Sequence, residues 1–263
     1  MPSALQVLHQ EVIVCRRCPR LVEFRETVGR EKRRAYLDHE YWARPVPGFG
    51  DPQARVVILG LAPGAHGSNR TGRPFTGDSS GRFMYPILYR VGFASQPNAD
   101  SRDDGLRLID AYITAAVRCA PPENKPTPVE ISNCAPFLDR ELQALKHMRV
   151  LVALGRIGFD AYLNHLQRTG VLNAPQAGRG SPATGAFAIA GVKRGVAADP
   201  ALKRKSAYRF AHGAQYNLPN GVTLLASYHP SNQNTATGKL TAAMFEQIFL
   251  TARQLASAQS ATP

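Results

Sequence analysis

No run of 18 or more apolar residues occurs in this 263-residue chain, although 44% of it is hydrophobic, so no segment is long enough to cross a bilayer as a helix. Residues 1–10 lack a positively charged start followed by an apolar stretch, so a secretory leader is not expected and a cytoplasmic, nucleoid-associated location is. No internal repeat is visible, and the length suits a single domain over 1–263 with a sizeable core. Carboxylates are scarce: 19 Asp and Glu face 32 Lys and Arg, a formal charge of +13. An excess of this size points to a polyanion, because neutralising phosphates releases their counterions and drives association. There is no long basic amphipathic helix to lie on an anionic membrane, which leaves nucleic acid as the favoured partner.

Cysteine is also scarce, and all four residues fall into a pattern. Cys15 and Cys18 form a C-x-x-C turn beside Arg16, Arg17 and Arg20, and Cys119 and Cys134 are separated by fourteen residues. Inside a cell, such a set suits metal ligation better than disulfides. Four thiolates accept structural zinc or an iron–sulfur cluster, and spacing does not separate the two; buried free thiols are the plainer alternative.

Four short aliphatic and β-branched runs read as strands, at 55–61, 111–117, 149–154 and 221–228. Helical periodicity falls at 80–92, 128–146, 156–166 and 239–255. This alternation predicts a three-layer α/β fold with a central four-stranded parallel sheet flanked by helices. The Gly-, Ala- and Pro-rich stretch 169–219 carries Lys193, Arg194, Lys203, Arg204, Lys205 and Arg209. It reads as a long basic connection, either solvated or touching the DNA backbone. Residues 256–263 are small and polar and are expected to fray.

Ligands in open α/β sheets bind outside the carboxyl ends of the strands, so three post-strand loops hold the candidate chemistry. The first reads GLAPGAHG (60–67) and then NRTGRPFTGD (69–78). Phe75 is placed to stack a planar ring, or simply to fill core, and Asp78 precedes a helix as an N-cap would. The second, RCAPPENKP (118–126), has prolines that stiffen the backbone around Asn124, whose carboxamide can read a base edge or merely make a turn. The third, YHPSNQNTATGKLT (228–241), opens with His229, a potential donor to charge on a departing base; Asn234 and Thr235 suit a phosphate or groove face.

These loops and the cysteine spacing together resemble the family-five (type B) uracil-DNA glycosylases, from Cys15 to about Phe249. The resemblance implies a monomeric repair enzyme with a [4Fe–4S] cluster on Cys15, Cys18, Cys119 and Cys134, acting on duplex DNA that contains uracil or another damaged base. It implies that Phe75 stacks the flipped base, Asn124 contacts its edge and His229 steadies the leaving group. The candidate base pocket is Ala62, Gly64, His66, Phe75 and Asn124; the candidate DNA contacts are Asn69, Arg70, Ser231, Asn234, Thr235 and Lys239. The wider superfamily carries a polar water-positioning residue in the first loop, whereas Gly60-Leu61-Ala62-Pro63 has neither carboxylate nor amide. Asp78 is then the candidate for that role. Gly64 stands where alanine is expected and should only loosen the loop. An apolar wall at Ala62 implies tolerance for several bases, since sites without obligatory hydrogen bonds reject analogues weakly. The alternatives are a narrower uracil glycosylase of the neighbouring iron–sulfur family, or a catalytically silent, metal-containing nucleic-acid binder.

Overall fold

Apolar residues along each predicted strand are buried on both faces, and this places the sheet in the middle of the molecule. The computed structural model describes residues 2–173 and 204–258. Its central strands are β2 (Val56–Gly60), β3 (Ala111–Ala115), β4 (Val150–Leu154) and β6 (Thr223–Ser227), parallel in the order β3-β2-β4-β6. Two short antiparallel strands add an edge on each side: β1 (Phe49–Gly50) on β3 and β5 (Gln215–Asn217) on β6. Among the described residues the sheet therefore has six strands rather than the four expected, and its four-stranded parallel centre is as expected. Strand β5 lies inside the stretch read as a long basic connection; Gln215 and Asn217 are exposed, Tyr216 is half-buried, and no apolar run betrays the strand.

Alternate residues of one strand go to opposite layers, as a two-residue pleat requires. Val56 and Ile58 join Val150, Val152 and Leu225 beneath α4 (Ser79–Val91) and α8 (Ala242–Ala258). Val57 and Leu59 join Leu151, Ala153 and Leu224 beneath α5 (Pro128–Ala144) and α6 (Gly155–Arg168). Two helices at the start, α1 (Ala4–Ile13) and α2 (Pro19–Glu31), complete this side. Their signals were present in the sequence: Ser3 and Gln6 make a capping box on α1, and Pro19 sits in the first turn of α2. Of the end expected to fray, residues up to Ala258 belong to α8 and Ala256 is buried, because the apolar stripe of α8 runs on to it; the rest lies outside the described residues. So do Lys193, Arg194 and Lys203 of the basic connection. Among the described residues no helix is long and apolar enough to cross a membrane.

Candidate active site

Because β2, β3 and β6 are parallel, the loops that follow them leave the sheet on the same side. With the first turn of α4 they enclose a cavity of about 760 Å³. Ala62, Gly64, His66, Phe75, Asp78, Asn124 and His229 all line it, so residues from three loops separated by up to 167 positions meet in one place.

Phe75 is held in the left-handed region at φ 51°, a conformation a bulky side chain avoids unless its surroundings impose it. Its N–H donates to Ser68 Oγ (3.0 Å), and the absence of side chains at Gly60 and Gly81 leaves room for its ring and its carbonyl oxygen. The ring faces His229, with centroids 5.8 Å apart and planes tilted by 33°. Asp78 is the N-cap of α4: its Oδ1 accepts from the Gly81 N–H (2.9 Å), while Oδ2 turns toward Gly64 and Gly67. The helix cap therefore uses one carboxylate oxygen and leaves the other facing the glycines of the first loop. Burial pushes this carboxyl up, against the pull of the Gly81 N–H and Arg82. A methyl group at Gly67 would stand 2.0 Å from Oδ2, so Gly67→Ala must displace the Asp78 side chain. The expected result is loss of the cap, about 1 kcal/mol in thermal or denaturant unfolding. At Gly64 the same contact is 3.2 Å, so Gly64 sets the clearance beside Asp78.

Asn124 follows Glu123, and both are left-handed, at φ 57° and 52°. Pro121 and Pro122 fix the approach, and the Asn124 N–H donates to the Pro121 carbonyl oxygen (3.2 Å), which leaves the carboxamide at the exposed rim of the cavity. His229 is half-buried, and burial pushes its imidazole down to about 4, so it is neutral at pH 7. The Asn234 side chain donates to the His229 carbonyl oxygen (2.9 Å) and anchors that loop. A second imidazole, His66, is also held low, by burial and by Arg33 and Arg70. Its Nδ1 lies 2.9 Å from the Tyr41 hydroxyl.

Two of the expected DNA contacts are elsewhere. Asn69 is 0% exposed and spends its amide on the Arg25 and Ala65 carbonyl oxygens (3.1 and 3.4 Å). Arg70, 6% exposed, donates to the carbonyl oxygens of His66 (2.8 Å) and Gly77 (2.8 Å) and stacks on Tyr36. Both brace the first loop from within, because a tight loop rich in unpaired carbonyls needs buried donors. Ser231 lines the cavity and caps α7 (Asn232–Ala236), bonded to the Asn234 N–H (3.4 Å). Asn234 and Thr235 are half-buried, with the Thr235 hydroxyl donating to the Ser231 carbonyl oxygen (3.2 Å). Lys239 is exposed, with its ammonium 4.9 Å from the Tyr228 ring centroid.

Sequence patterns missed the ion pair beneath the cavity. Arg118 and Glu141 are 2% and 1% exposed and bond to each other, and Glu141 also accepts from the hydroxyls of Tyr112 (2.9 Å) and Thr114. Burial alone would raise the Glu141 carboxyl, but the Arg118 charge, the hydrogen bonds from Arg118 and Thr114, and His9 close by at 3.8 Å outweigh it and hold it at about 2. Both Arg118 and Thr114 line the cavity. The only hint in the sequence was the position of Arg118 beside Cys119.

The four cysteines come from the turn between α1 and α2, the loop after β3, and α5. Cys18, Cys119 and Cys134 pack in one buried cluster with Leu21 and Val117, and Cys15 is half-buried. Burial pushes the Cys119 thiol up to about 12 despite Arg25 beside it. Arg25 is 2% exposed, donates to Cys119 Sγ (3.0 Å), and has no hydrogen-bond partner for its Nε. Its present counter-charge is Glu26, 3.7 Å away, and thiolates on the cysteines would add to it. Among the described residues no three His, Cys, Asp or Glu side chains are arranged around a single metal ion.

The profile of the Uracil DNA glycosylase superfamily matches residues 47–253. A Type-5 uracil-DNA glycosylase of Thermus thermophilus is 51% identical over 94% of this chain and 96% of its own length. Proteins of the same name from Mycobacterium bovis and Pyrobaculum aerophilum are 44% and 41% identical, over 95% and 88% of this chain and 81% and 84% of their own lengths.

Proposed function

Because the chain belongs to the uracil DNA glycosylase superfamily, we propose that it removes uracil, and other deaminated or modified bases, from duplex DNA by hydrolysing the N-glycosidic bond and leaving an abasic site. The observation that carries this is the meeting of Phe75, Asp78, Asn124 and His229 on one cavity at the carboxyl ends of parallel strands. A silent DNA binder needs no such convergence. A single chain supplies all three loops and all four cysteines, so a monomer suffices.

Turning the base out of the stack costs a few kcal/mol, least at a mispair such as U·G. Phe75 stacks the extruded ring, and the Asn124 carboxamide reads its hydrogen-bonding edge. As the bond breaks, positive charge develops on the sugar and negative charge on the base. The neutral His229 imidazole donates its N–H to the oxygen of the departing base, where charge builds. The Asp78 carboxylate balances the sugar cation and orients the water whose oxygen bonds to C1′. The apolar Ala62 wall makes no obligatory hydrogen bond, which favours breadth over strict discrimination.

Cys15, Cys18, Cys119 and Cys134 fit a [4Fe–4S] cluster. They form an all-thiol set of the kind such a cluster takes, and the buried Arg25 guanidinium would offset thiolate charge. When bound, the cluster supplies a cross-link between the α1–α2 turn, the loop after β3 and α5. Arg25 in turn accepts from Asn69 through its carbonyl oxygen, so α2 ties the cysteine pocket to the first loop of the cavity.

The test is purified protein assayed for iron and sulfide, then given labelled duplex with one U·G pair, followed by alkali. Strand scission without a borohydride-trapped adduct is expected, since among the described residues no lysine lines the cavity wall. A trapped adduct through Lys125 would overturn the monofunctional mechanism. No scission with duplex binding intact would leave a silent binder. Activity on uracil alone, among uracil, hydroxymethyluracil, hypoxanthine and ethenocytosine, would remove the role given to Ala62.

A further inference from the structure

The segment after α2 runs past the mouth of the cavity and carries a basic, aromatic sequence that the three loops do not account for. It docks on α3 (Ser68–Thr71): the Trp42 and Ala43 N–H groups donate to the carbonyl oxygens of Arg70 (2.9 Å) and Asn69 (3.0 Å). The indole N–H donates to the Pro45 carbonyl oxygen (3.0 Å), and its ring seats over Gly72, where a Cβ would stand 2.8 Å away. Two guanidinium groups pack on this fixed ring, Arg44 at 5.5 Å and Arg102 at 4.3 Å from the centroid. Arg102 comes from a separate loop that is itself pinned, since Arg73 donates to the Arg102 carbonyl oxygen (3.2 Å) and pairs with Asp104. Arg33, two residues after the end of α2, reaches the cavity wall beside Tyr36.

Arg33, Arg44 and Arg102 are exposed, and none of them pairs with a carboxylate among the described residues. We propose that Arg33, Arg44 and Arg102 form a lip that grips the phosphate backbone of the duplex beside the extruded nucleotide. This rests on the proposed glycosylase function for its geometry, though not for its chemistry. Stacking on an aromatic ring fixes a guanidinium while leaving its N–H fork free, and that fork matches the oxygens of a phosphate. Contacts of this type carry affinity without sequence preference and position the duplex over the cavity.

Binding of an undamaged labelled duplex, measured across a range of salt concentrations, tests the lip. Each phosphate contact contributes about 0.9 to the slope of log affinity against log salt, so R44A/R102A should flatten the slope by about 2 and R33A by about 1. R44K/R102K keeps both charges and should keep the slope. An unchanged slope in R44A/R102A, whatever happens to its melting temperature, would mean the stacked arginines only cover Trp42 and would overturn the proposal. A slope lost in R44K/R102K would do the same, since charge would then not be the cause. The readout needs no base excision. A flattened slope in a protein that does not cut uracil keeps the lip and removes the glycosylase; cutting with an unchanged slope does the reverse.

Discussion

Replacing His229 with serine should lower the single-turnover rate of uracil release from a U·G duplex by about 10²–10³-fold, the usual effect of removing one donor aimed at developing negative charge. The donor is a neutral imidazole. Burial moves His229 from the ordinary 6.5 down to about 4, so one ring nitrogen keeps its proton through the neutral range and the other keeps none. Two consequences separate this from a structural role. His229→Gln retains an N–H donor and should recover part of the loss. The wild-type rate should show no inflection near pH 6.5, because the imidazole has nothing to lose there; acid inactivation belongs to lower pH, where His229 gains a proton and the raised Asp78 carboxyl is neutralised. An inflection near 6.5 that vanishes in His229→Ser would show that the imidazolium is the active form. Phe75 is the packing partner that holds this ring, so Phe75→Ala is a poor substitute for the test.

The largest stability effect is expected at Arg118. Arg118→Met leaves Glu141 buried without its counter-charge, and breaking such a pair from one side costs about 3–5 kcal/mol. Replacing both partners with apolar residues of similar volume should recover much of that, because the desolvation of two charges disappears with their attraction. The pH dependence has a definite sign. Glu141 is depressed from 4.5 to about 2, so its stabilisation is complete above about 4.5 and is lost as pH falls from there toward 2. The variant has no such stabilisation to lose, and a lone buried carboxyl prefers its neutral form, so the gap between wild type and Arg118→Met should narrow over that window. Urea unfolding at several pH values reads both effects. A gap that stays constant down to pH 2 would mean the pair is not what the substitution removes. The chemistry above it should suffer too, since Arg118 forms part of the cavity wall.

The sequence by itself determined the parallel centre of the sheet, because strands buried on both faces must be apolar at nearly every position, as Val56–Gly60 and Val150–Leu154 are. It also placed Phe75, Asp78, Asn124 and His229 in loops after strands, and parallel strands deliver such loops to one side. Edge strands escaped it, since Gln215–Asn217 pairs through its backbone and buries little. Only the tertiary structure decided which polar groups meet. Asn69 and Arg70 sit in a loop rich in glycine and polar residues, where a buried brace and a DNA contact have the same composition; contact with Arg25, 44 residues away, makes Asn69 a brace. Glu141 lies on the buried face of α5 at a position that periodicity assigns to an apolar side chain, and Arg118 is 23 residues before it. Hydrophobic periodicity reports which face of an element turns inward. A hydrogen bond or ion pair depends on two elements arriving together, and that is settled only when the layers pack.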